Sequence, residues 1–316
     1  MRLVALLAWL LAFAAQPALA EVSPTLRSLE QRLAALAIEN PGEYGIAALD
    51  LATGATISFN GDRPFPMAST MKVAVAAAYL AEVDAGRRSL DDTVAGASAG
   101  RLMDAMITRS DNRATDLLMA TLGGPASIDR WLRAHNLSGI RVDRTIAQLL
   151  GDRRDLSDLR DSSTPAAMLG LLRVIDAGVA LKADSRVLLL DMMRRCKTGS
   201  NRIRGILPAG ARVENKTGTL NNYTGDVGFL TTPTGQRIAV AFFARGGSNR
   251  PAVIATAARA IYDAFGAEAQ TPKRPAWMPA TQPLRAAMPQ RLAPAPACPA
   301  PRLGQPAGTR PAACTQ

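Results

Sequence analysis

The spacing of apolar residues along this chain changes between a helical and an alternating period. A helix opens at Ser23-Pro24, carries leucines on one face, and ends at Asn40-Pro41-Gly42. Alternation then predicts two strands, a long central region returns to helical spacing, and alternation comes back after Leu207-Pro208-Ala209-Gly210. The predicted strands are 44–50, 56–60, 212–217, 225–231 and 236–244, and the further predicted helices lie near 70–84, 100–109, 112–121, 127–135, 165–177, 184–195 and 251–265.

Two strands near the start and three near the end, with short turns inside each group, predict one antiparallel sheet closed by bringing the chain ends together. The fold class expected is α/β of the α+β kind, a five-stranded antiparallel sheet flanked by helices with an inserted all-helical lobe. The sheet lobe would span about 21–62 and 205–269, and the helical lobe about 69–204. A cleft between two lobes is a common place for a binding site.

Both termini differ in composition from the body of the chain. Arg2, the apolar run Leu3 to Ala15 and the ending Ala18-Leu19-Ala20 are typical of a secretory signal peptide, so residues 1–20 are expected to be removed after Ala20 on export. The alternative, a membrane anchor, is disfavoured because the run is shorter than the ~20 residues of a spanning helix. Residues 270–316 hold eleven prolines and no acidic residue, which predicts a basic disordered tail.

The formal net charge of +11 is concentrated outside the body. Residues 21–269 carry 30 basic and 26 acidic side chains, and aromatic residues make up 4% of the chain. With no nucleic-acid motif and few stacking residues, nucleic acid is not an expected partner. The tail is interpreted first as a solvated linker, with contact to anionic envelope polymers as the alternative. We expect a monomer.

The cysteine and histidine content argues against a disulfide framework or a metal site. Cys196 stands alone in the body, while Cys298 and Cys314 are near enough in the tail to pair in an oxidising compartment. His135, the single histidine, falls at the end of a predicted helix, where packing or exposure is its expected role. No metal and no cofactor are predicted.

Ser69-Thr70-Met71-Lys72 opens the strongly apolar helix from Val73 to Leu80. A spacing of three puts Ser69 and Lys72 on one face, one turn apart. A serine hydroxyl needs a base to become a nucleophile, and lysine can supply one when burial or nearby positive charge lowers its pKa. On its own this spacing is weak, since a match is expected about once by chance in a chain of average composition.

Two further motifs strengthen the hypothesis. Ser110-Asp111-Asn112 falls at a break between two predicted helices, and Lys216-Thr217-Gly218 ends a predicted strand. Each tripeptide should occur by chance in about one such chain in twenty or thirty. All three together, in order and in these settings, should occur by chance in roughly one such chain in a thousand.

This set of motifs resembles that of class A β-lactamases and penicillin-binding proteins. The resemblance covers about residues 22–266 and implies a β-lactamase/transpeptidase-like fold. It extends through Phe65-Pro66-Met67-Ala68, Arg141-Val142-Asp143-Arg144-Thr145, Arg160-Asp161-Ser162-Ser163-Thr164-Pro165 and Leu207-Pro208-Ala209-Gly210.

The resemblance implies a role for each motif residue. Ser69 would attack an amide carbonyl, Lys72 would take or relay its proton, and Ser110 would pass a proton to the leaving nitrogen. Backbone N–H groups of Ser69 and Thr219 would form the oxyanion hole. The implied substrate-binding residues are Asn112, Lys216, Thr217, Thr219 and Arg202; for Arg202, surface exposure is an equal alternative.

One element departs from the class A pattern. After Asp143-Arg144-Thr145, where the family has a glutamate that activates the deacylating water, this chain has Ile146, and Leu150 stands where an asparagine helps to hold that water. Isoleucine cannot accept a proton and would exclude water, so we expect acylation without fast hydrolysis. The segment from Ile146 to Arg160 is expected to be a loop. Its Asp152, Asp155 and Asp158 are candidates for a substitute base, although solvated loop residues are the favoured interpretation.

The sequence therefore favours a β-lactamase-type serine hydrolase that opens a β-lactam amide through a Ser69 acyl-enzyme. The alternative enzyme is a D-alanyl-D-alanine carboxypeptidase-like peptidoglycan enzyme or a slow-turnover penicillin-binding protein, whose partner would be a stem peptide. A third hypothesis is a sensor module that uses the acylated cleft as a switch.

Overall fold

The computed structural model describes residues 23–153 and 155–270. The expected signal peptide and the tail with Cys298 and Cys314 lie outside these residues. The strands are β1 (Glu43–Asp50), β2 (Thr56–Phe59), β3 (Phe65–Pro66), β4 (Thr93–Val94), β5 (Ala97–Ser98), β6 (Ser162–Ser163), β7 (Arg212–Leu220), β8 (Tyr223–Thr231) and β9 (Arg237–Arg245). The helices are α1 (Pro24–Glu39), α2 (Lys72–Asp84), α3 (Ala99–Thr108), α4 (Asn112–Thr121), α5 (Pro125–Ala134), α6 (Ile146–Gly151), α7 (Pro165–Asp176), α8 (Ala183–Arg194) and α9 (Arg250–Gln270).

The main sheet is antiparallel, with strand order β2-β1-β9-β8-β7. The first two strands join the last three through the β1–β9 pair, in which Ile46 lies opposite Phe242 and Ala47 opposite Ala241. The predicted fold class is therefore confirmed: the sheet is made from the two ends of the described chain, and the intervening segment from α2 to α8 is mainly helical.

Alternation along the central strands sends side chains into two separate cores. Ile46 of β1 and Phe242 of β9 pack with residues of α1 and α9 on one face. Ala47 and Phe243, one position further along each strand, join the larger core around α2 on the other face. Because both faces are covered, β8 is buried along its whole length.

Helix α2 lies at the centre of the helical region and contacts α3, α4, α5 and α8. Its first nine residues, from Lys72 to Leu80, are all buried. A helix that is apolar all round must be enclosed, which explains the uninterrupted run Val73 to Leu80. The one charged side chain in this buried stretch is Lys72, so its amine must find polar partners inside the protein.

The structure contains elements that the apolar pattern did not predict. Residues 146–151, expected to belong to a loop, form the short helix α6, which begins with a capping box between Thr145 and Gln148. Two-residue strands pair β3 with β6 and β4 with β5. Elements this short carry too few residues to show a period. Among the described helices none is long and apolar enough to cross a membrane.

Candidate active site

Ser69 lies in the 3₁₀ turn Ala68–Met71, which runs directly into α2. The turn is entered through Ala68 at φ 47°, a left-handed conformation that is uncommon for a residue with a side chain. It is secured before Ser69 by a hydrogen bond from the Met67 N–H to the backbone oxygen of Asp161, at 2.9 Å. Strained backbone of this kind is typical of functional sites, and the neighbouring Ser69 is partly buried.

Strand β7 approaches this turn closely at Gly218. A Cβ atom at Gly218 would lie 2.6 Å from the backbone oxygen of Met67 and 3.1 Å from Thr70 Cγ2. Only glycine allows the strand to come this near, which is the physical reason for the third residue of Lys216-Thr217-Gly218. The contact places Thr219, the next residue of the strand, on the segment that packs against the turn carrying Ser69.

The amine of Lys72 is completely buried and held by the second motif. Lys72 Nζ donates to the backbone oxygen of Ser110 at 2.7 Å, to Asn112 Oδ1 at 2.7 Å and to Ser110 Oγ at 3.2 Å. In the described chain no hydrogen bond joins Lys72 to Ser69, although the two residues are one turn apart. The amine is therefore held by the Ser110-Asp111-Asn112 loop and not by Ser69.

Ser110 connects the second motif to the third. It lies between α3 and α4 with φ 61°, again in the left-handed region. Lys216 Nζ donates to Ser110 Oγ at 3.0 Å and to the backbone oxygen of Thr217 at 2.9 Å. The Ser110 oxygen thus accepts hydrogen bonds from Lys216 and Lys72, which leaves its own proton to be donated elsewhere.

Burial dominates the protonation of Lys72. It lowers the Lys72 pKa to about 7, and the positive charge of Lys216 acts in the same direction, while Asp111 and Asp116 oppose it. A substantial fraction of Lys72 is then neutral at physiological pH. A neutral amine in this position can act as a general base.

Lys216 is equally buried but remains more often charged. Burial lowers its pKa to about 8, with Arg202 acting the same way and with Cys196 and Asp226 opposing it. Below that pH Lys216 keeps its positive charge, which is what recognition of an anionic group requires.

Arg202 is buried, with 8% of its surface exposed, so the alternative of an exposed arginine is wrong. Its Nη1 donates to the backbone oxygens of Gly218 at 3.1 Å and Gly225 at 3.0 Å, and its Nη2 donates to Thr219 Oγ1 at 2.7 Å. Arg202 therefore links β7 to β8 by hydrogen bonds and holds the Thr219 hydroxyl in place. The sequence placed Arg202 near the site but did not reveal these contacts.

Thr217 has a partner that the sequence did not single out. Its Oγ1 lies 2.5 Å from Thr198 Oγ1, in the segment between α8 and β7. Cys196 Sγ lies 3.4 Å from the same Thr198 hydroxyl, which gives the lone body cysteine a packing role beside the third motif. His135 ends α5, as expected, with Nδ1 2.9 Å from the backbone oxygen of Trp131.

The segment from Arg144 to Asp161, which departs from the class A pattern at Ile146, is held in place by ion pairs. Asp161, completely buried, accepts from Arg144 Nε at 2.6 Å. Asp152 pairs with Arg144 at 2.8 Å, and Asp158 pairs with Arg160 at 2.7 Å. The Arg160 hydrogen bond holds the pKa of Asp158 below its usual range. Carboxylates engaged in this way are poor candidates for a base.

The other residues of this segment lie in contrasting surroundings. Asp155 accepts from the Ser157 N–H at 2.7 Å and lines a cavity of about 30 Å³ with Pro66 and Leu220. Ile146, the first residue of α6, is 3% exposed, whereas Leu150 is 47% exposed. Among the described residues, no group of three or more His, Cys, Asp or Glu side chains could hold a metal ion.

Comparison with known proteins identifies the family and supports the fold. The model of the beta-lactamase enzyme family matches residues 28–265. An ancestral class A β-lactamase is 37% identical and covers 75% of this chain and 100% of its own, with a TM-score of 0.72. A β-lactamase from Xanthomonas campestris pv. campestris is 28% identical, covering 77% of this chain and 99% of its own, also with a TM-score of 0.72.

A variant of the class A β-lactamase of the last common ancestor of Gram-negative bacteria is 36% identical, covers 76% of this chain and 99% of its own, and has a TM-score of 0.72. The fold and the three motifs define a serine hydrolase of the class A β-lactamase type. The chain belongs to the β-lactamase enzyme family.

Proposed function

We propose that this protein opens β-lactam amides by forming an acyl-enzyme on Ser69 and clears that acyl-enzyme slowly. The observation that carries the proposal is the position of Ser110 Oγ, 3.2 Å from Lys72 Nζ and 3.0 Å from Lys216 Nζ. One hydroxyl thereby links the candidate base to the candidate anion-binding lysine. Proton transfer and substrate binding can then be coordinated at a single point.

In acylation, neutral Lys72 takes the Ser69 proton, directly or through Ser110, as Ser69 Oγ bonds to the β-lactam carbonyl carbon. Negative charge collects on the carbonyl oxygen, and the Ser69 and Thr219 N–H groups are the proposed donors that stabilise it. The C–N bond then breaks, and Ser110 donates its proton to the nitrogen while recovering one from Lys72. The product is an ester on Ser69 with an opened ring.

Recognition of the substrate is assigned to the edge of β7. Lys216, Thr217 and Thr219 would bind the β-lactam carboxylate, with Arg202 adding positive charge behind Thr219. Asn112 would hold the side-chain amide of the substrate when Lys72 moves toward Ser69. These assignments use a charged lysine and hydroxyl donors, which suit a carboxylate.

Deacylation is the step that this chain is poorly equipped to perform. The expected glutamate is replaced by buried Ile146, and two of the three nearby aspartates are engaged by Arg144 and Arg160. Asp155 is the remaining acid of the three. We assign it a structural role, since its carboxylate caps the turn at Ser157.

The test is to incubate the protein with benzylpenicillin and follow its intact mass with time. A single adduct that maps to Ser69 and persists for hours is the expected result. Ser69→Ala should give no adduct, and Ser200→Ala, a serine outside the three motifs, should acylate normally. Absence of any adduct on the unmodified protein would overturn the proposal.

The buried isoleucine also favours a second candidate, a D-alanyl-D-alanine carboxypeptidase-like enzyme. Such an enzyme would acylate with a stem peptide and release terminal D-alanine. Faster turnover of a peptide ending in D-alanyl-D-alanine than of benzylpenicillin would select this activity over β-lactam hydrolysis. A sensor role would instead require a downstream response that disappears when residues 271–316 are removed while acylation continues.

The proposal extends to where the protein acts and whether it assembles. We propose export, with cleavage after Ala20, action as a monomer, and contact of the basic tail with anionic envelope polymers. Mass measurement of the mature amino terminus tests the cleavage site. Comparison of envelope binding by the full chain and by a chain ending at Gln270 tests the role of the tail.

A further inference from the structure

The helical region contains a cavity of about 350 Å³ lined by residues of α2, α4, α5 and the segments that follow α2 and α4. The buried part of its lining is apolar: Ala78 of α2 and Ile128 of α5, with half-buried Leu122 after α4. Small-molecule sites in proteins commonly have volumes of about 300–1,000 Å³ and an apolar lining with a few polar groups. The residues that line the cavity belong to none of the three motifs, so it is separate from the candidate active site.

Two exposed arginines line the cavity, Arg88 after α2 and Arg130 on α5. Arg88 Nη2 donates to the backbone oxygen of Thr121, and Arg130 Nη2 donates to Ser127 Oγ at 2.9 Å. Both of these acceptors are uncharged. In the part of the chain that the structure describes, neither guanidinium forms an ion pair with a carboxylate. Both positive charges are therefore available to an anion that enters the cavity.

Glu82 also lines the cavity, but its charge is already engaged by a neighbour. Arg87 Nε donates to Glu82 Oε2 at 2.6 Å, and Arg87 Nη2 donates to Glu82 Oε1 at 2.8 Å. The Arg87 hydrogen bonds lower the pKa of Glu82, and the positive charge of Arg88 acts in the same direction. Glu82 is therefore an ionised partner of Arg87, and Arg88 and Arg130 give the lining an excess of positive charge.

Trp131 adds an aromatic ring and a hydrogen-bond donor to the lining. Its ring packs against His135, with the two ring centroids 4.4 Å apart. Trp131 Nε1 is buried, and among the described residues it has no acceptor. Buried N–H groups in native proteins nearly always have one. This donor therefore favours a ligand that brings an oxygen atom into the cavity.

We propose that this cavity is a binding site for a small monocarboxylate with an aromatic or other apolar body. The carboxylate pairs with Arg88 and Arg130, whose planar guanidinium groups match its geometry. Its two oxygens offer about four acceptor positions, enough for both arginines and for the Trp131 N–H. The apolar body of the ligand lies over Ala78 and Ile128. This site goes beyond the proposed acyl transfer and does not depend on it.

The test titrates 4-phenylbutyrate into the ¹⁵N-labelled protein and follows the indole N–H cross-peak of Trp131 by NMR. At about pH 7 the arginines and the ligand carboxylate are all charged. The chain contains Trp9, Trp131 and Trp277, so the cross-peak that disappears in Trp131→Phe is the one to follow. It should shift saturably, with a dissociation constant of about 1 mM for a ligand of this size. The uncharged 4-phenylbutanamide should bind at least about tenfold more weakly.

Variants of the two arginines test which charges hold the carboxylate. Arg88→Gln and Arg130→Gln should each weaken binding of 4-phenylbutyrate at least about threefold, and the double variant at least about tenfold. Arg133→Gln is the matched control, because Arg133 is exposed on the same helix, pairs with Asp129 and does not line this cavity. The control should leave the dissociation constant unchanged.

Three results would overturn the site. The first is an unchanged Trp131 cross-peak at about 10 mM 4-phenylbutyrate, roughly tenfold above the expected dissociation constant. The second is equal binding of the amide, and the third is equal binding by the double variant. If the double variant does not fold, the two single variants and the amide decide. These measurements involve no acylation, so a failure of Ser69 to acylate would refute the proposed function and leave this site standing.

Discussion

Lys72 Nζ donates to Asn112 Oδ1 at 2.7 Å, across the gap between α2 and the start of α4. The candidate base is thus held by the residue expected to bind the substrate's side-chain amide. A substrate that takes over the Asn112 oxygen would release the amine toward Ser69. Binding and activation of the nucleophile would then be coupled through one hydrogen-bond acceptor.

Replacing this acceptor with a carboxylate tests the coupling. Asn112→Asp would put a negative charge beside the Lys72 amine and raise its pKa, so the pH midpoint for acylation should move upward by about one to three pH units. The rate of adduct formation measured from pH 5 to 10 checks this. An unchanged midpoint would mean that Lys72 is not the titrating base.

The unmodified protein should show a bell-shaped pH dependence of acylation. The rate should rise through about pH 7 because Lys72 must lose its proton to act as a base, and fall above about pH 8 because Lys216 must keep its proton to bind a carboxylate. With a β-lactam ester, which lacks the carboxylate, the acylation rate should still rise through about pH 7 but should no longer fall above about pH 8. Identical profiles for the acid and the ester would contradict the role of Lys216.

Restoring a carboxylate at the start of α6 should speed deacylation. Ile146→Glu should shorten the adduct lifetime by about 10²-fold or more, the usual contribution of a positioned general base. Ile146→Gln has a similar size and polarity without the base, so it should have a much smaller effect. Because Ile146 is buried, both should lower stability by about 1–3 kcal/mol, which thermal unfolding will measure. Equal lifetimes in the two variants would argue against a missing base.

Gly218→Ala should damage the site through a steric clash. The added Cβ would lie 2.6 Å from the backbone oxygen of Met67, so β7 must move away from the turn that carries Ser69. We expect acylation to fall at least about tenfold and stability to fall by about 1–3 kcal/mol. Gly100→Ala in α3 is the matched control, since its nearest neighbour is an ordinary 3.4 Å away. Normal acylation by Gly218→Ala would show that the close approach is not needed.

Arg202→Ala should weaken substrate binding more than the chemical step. It removes the hydrogen bonds that the guanidinium donates to Gly218, Gly225 and Thr219, and we expect a loss of about 1–3 kcal/mol in stability. The concentration of benzylpenicillin for half-maximal acylation should rise at least about tenfold, with a smaller change in the maximal rate. As a control, Arg259→Ala, which changes an exposed arginine, should leave both the half-maximal concentration and the maximal rate unchanged. A pure loss of maximal rate would assign Arg202 to the reaction rather than to binding.

The sequence by itself determined the five-stranded sheet, the helical segments around it and the three motifs. Period and turn residues are local properties. The alternation in β1 and β9 is visible residue by residue, and Ser69 and Lys72 are three residues apart where the 3₁₀ turn runs into α2. The family could be recognised from the residues of the three motifs, because the chemistry of the site requires these particular side chains.

Tertiary structure alone decided what surrounds those motifs. Arg202 is buried because β7 and β8 present carbonyl oxygens to it, and no local pattern distinguishes that environment from a surface. Helix α6 forms where a loop was expected: besides the local capping box of Thr145 and Gln148, Asp116, thirty residues earlier, accepts two of its backbone donors. Contacts between residues far apart in sequence exist only once the chain has closed, and in this protein they set the pKa of Lys72 and the position of Ile146.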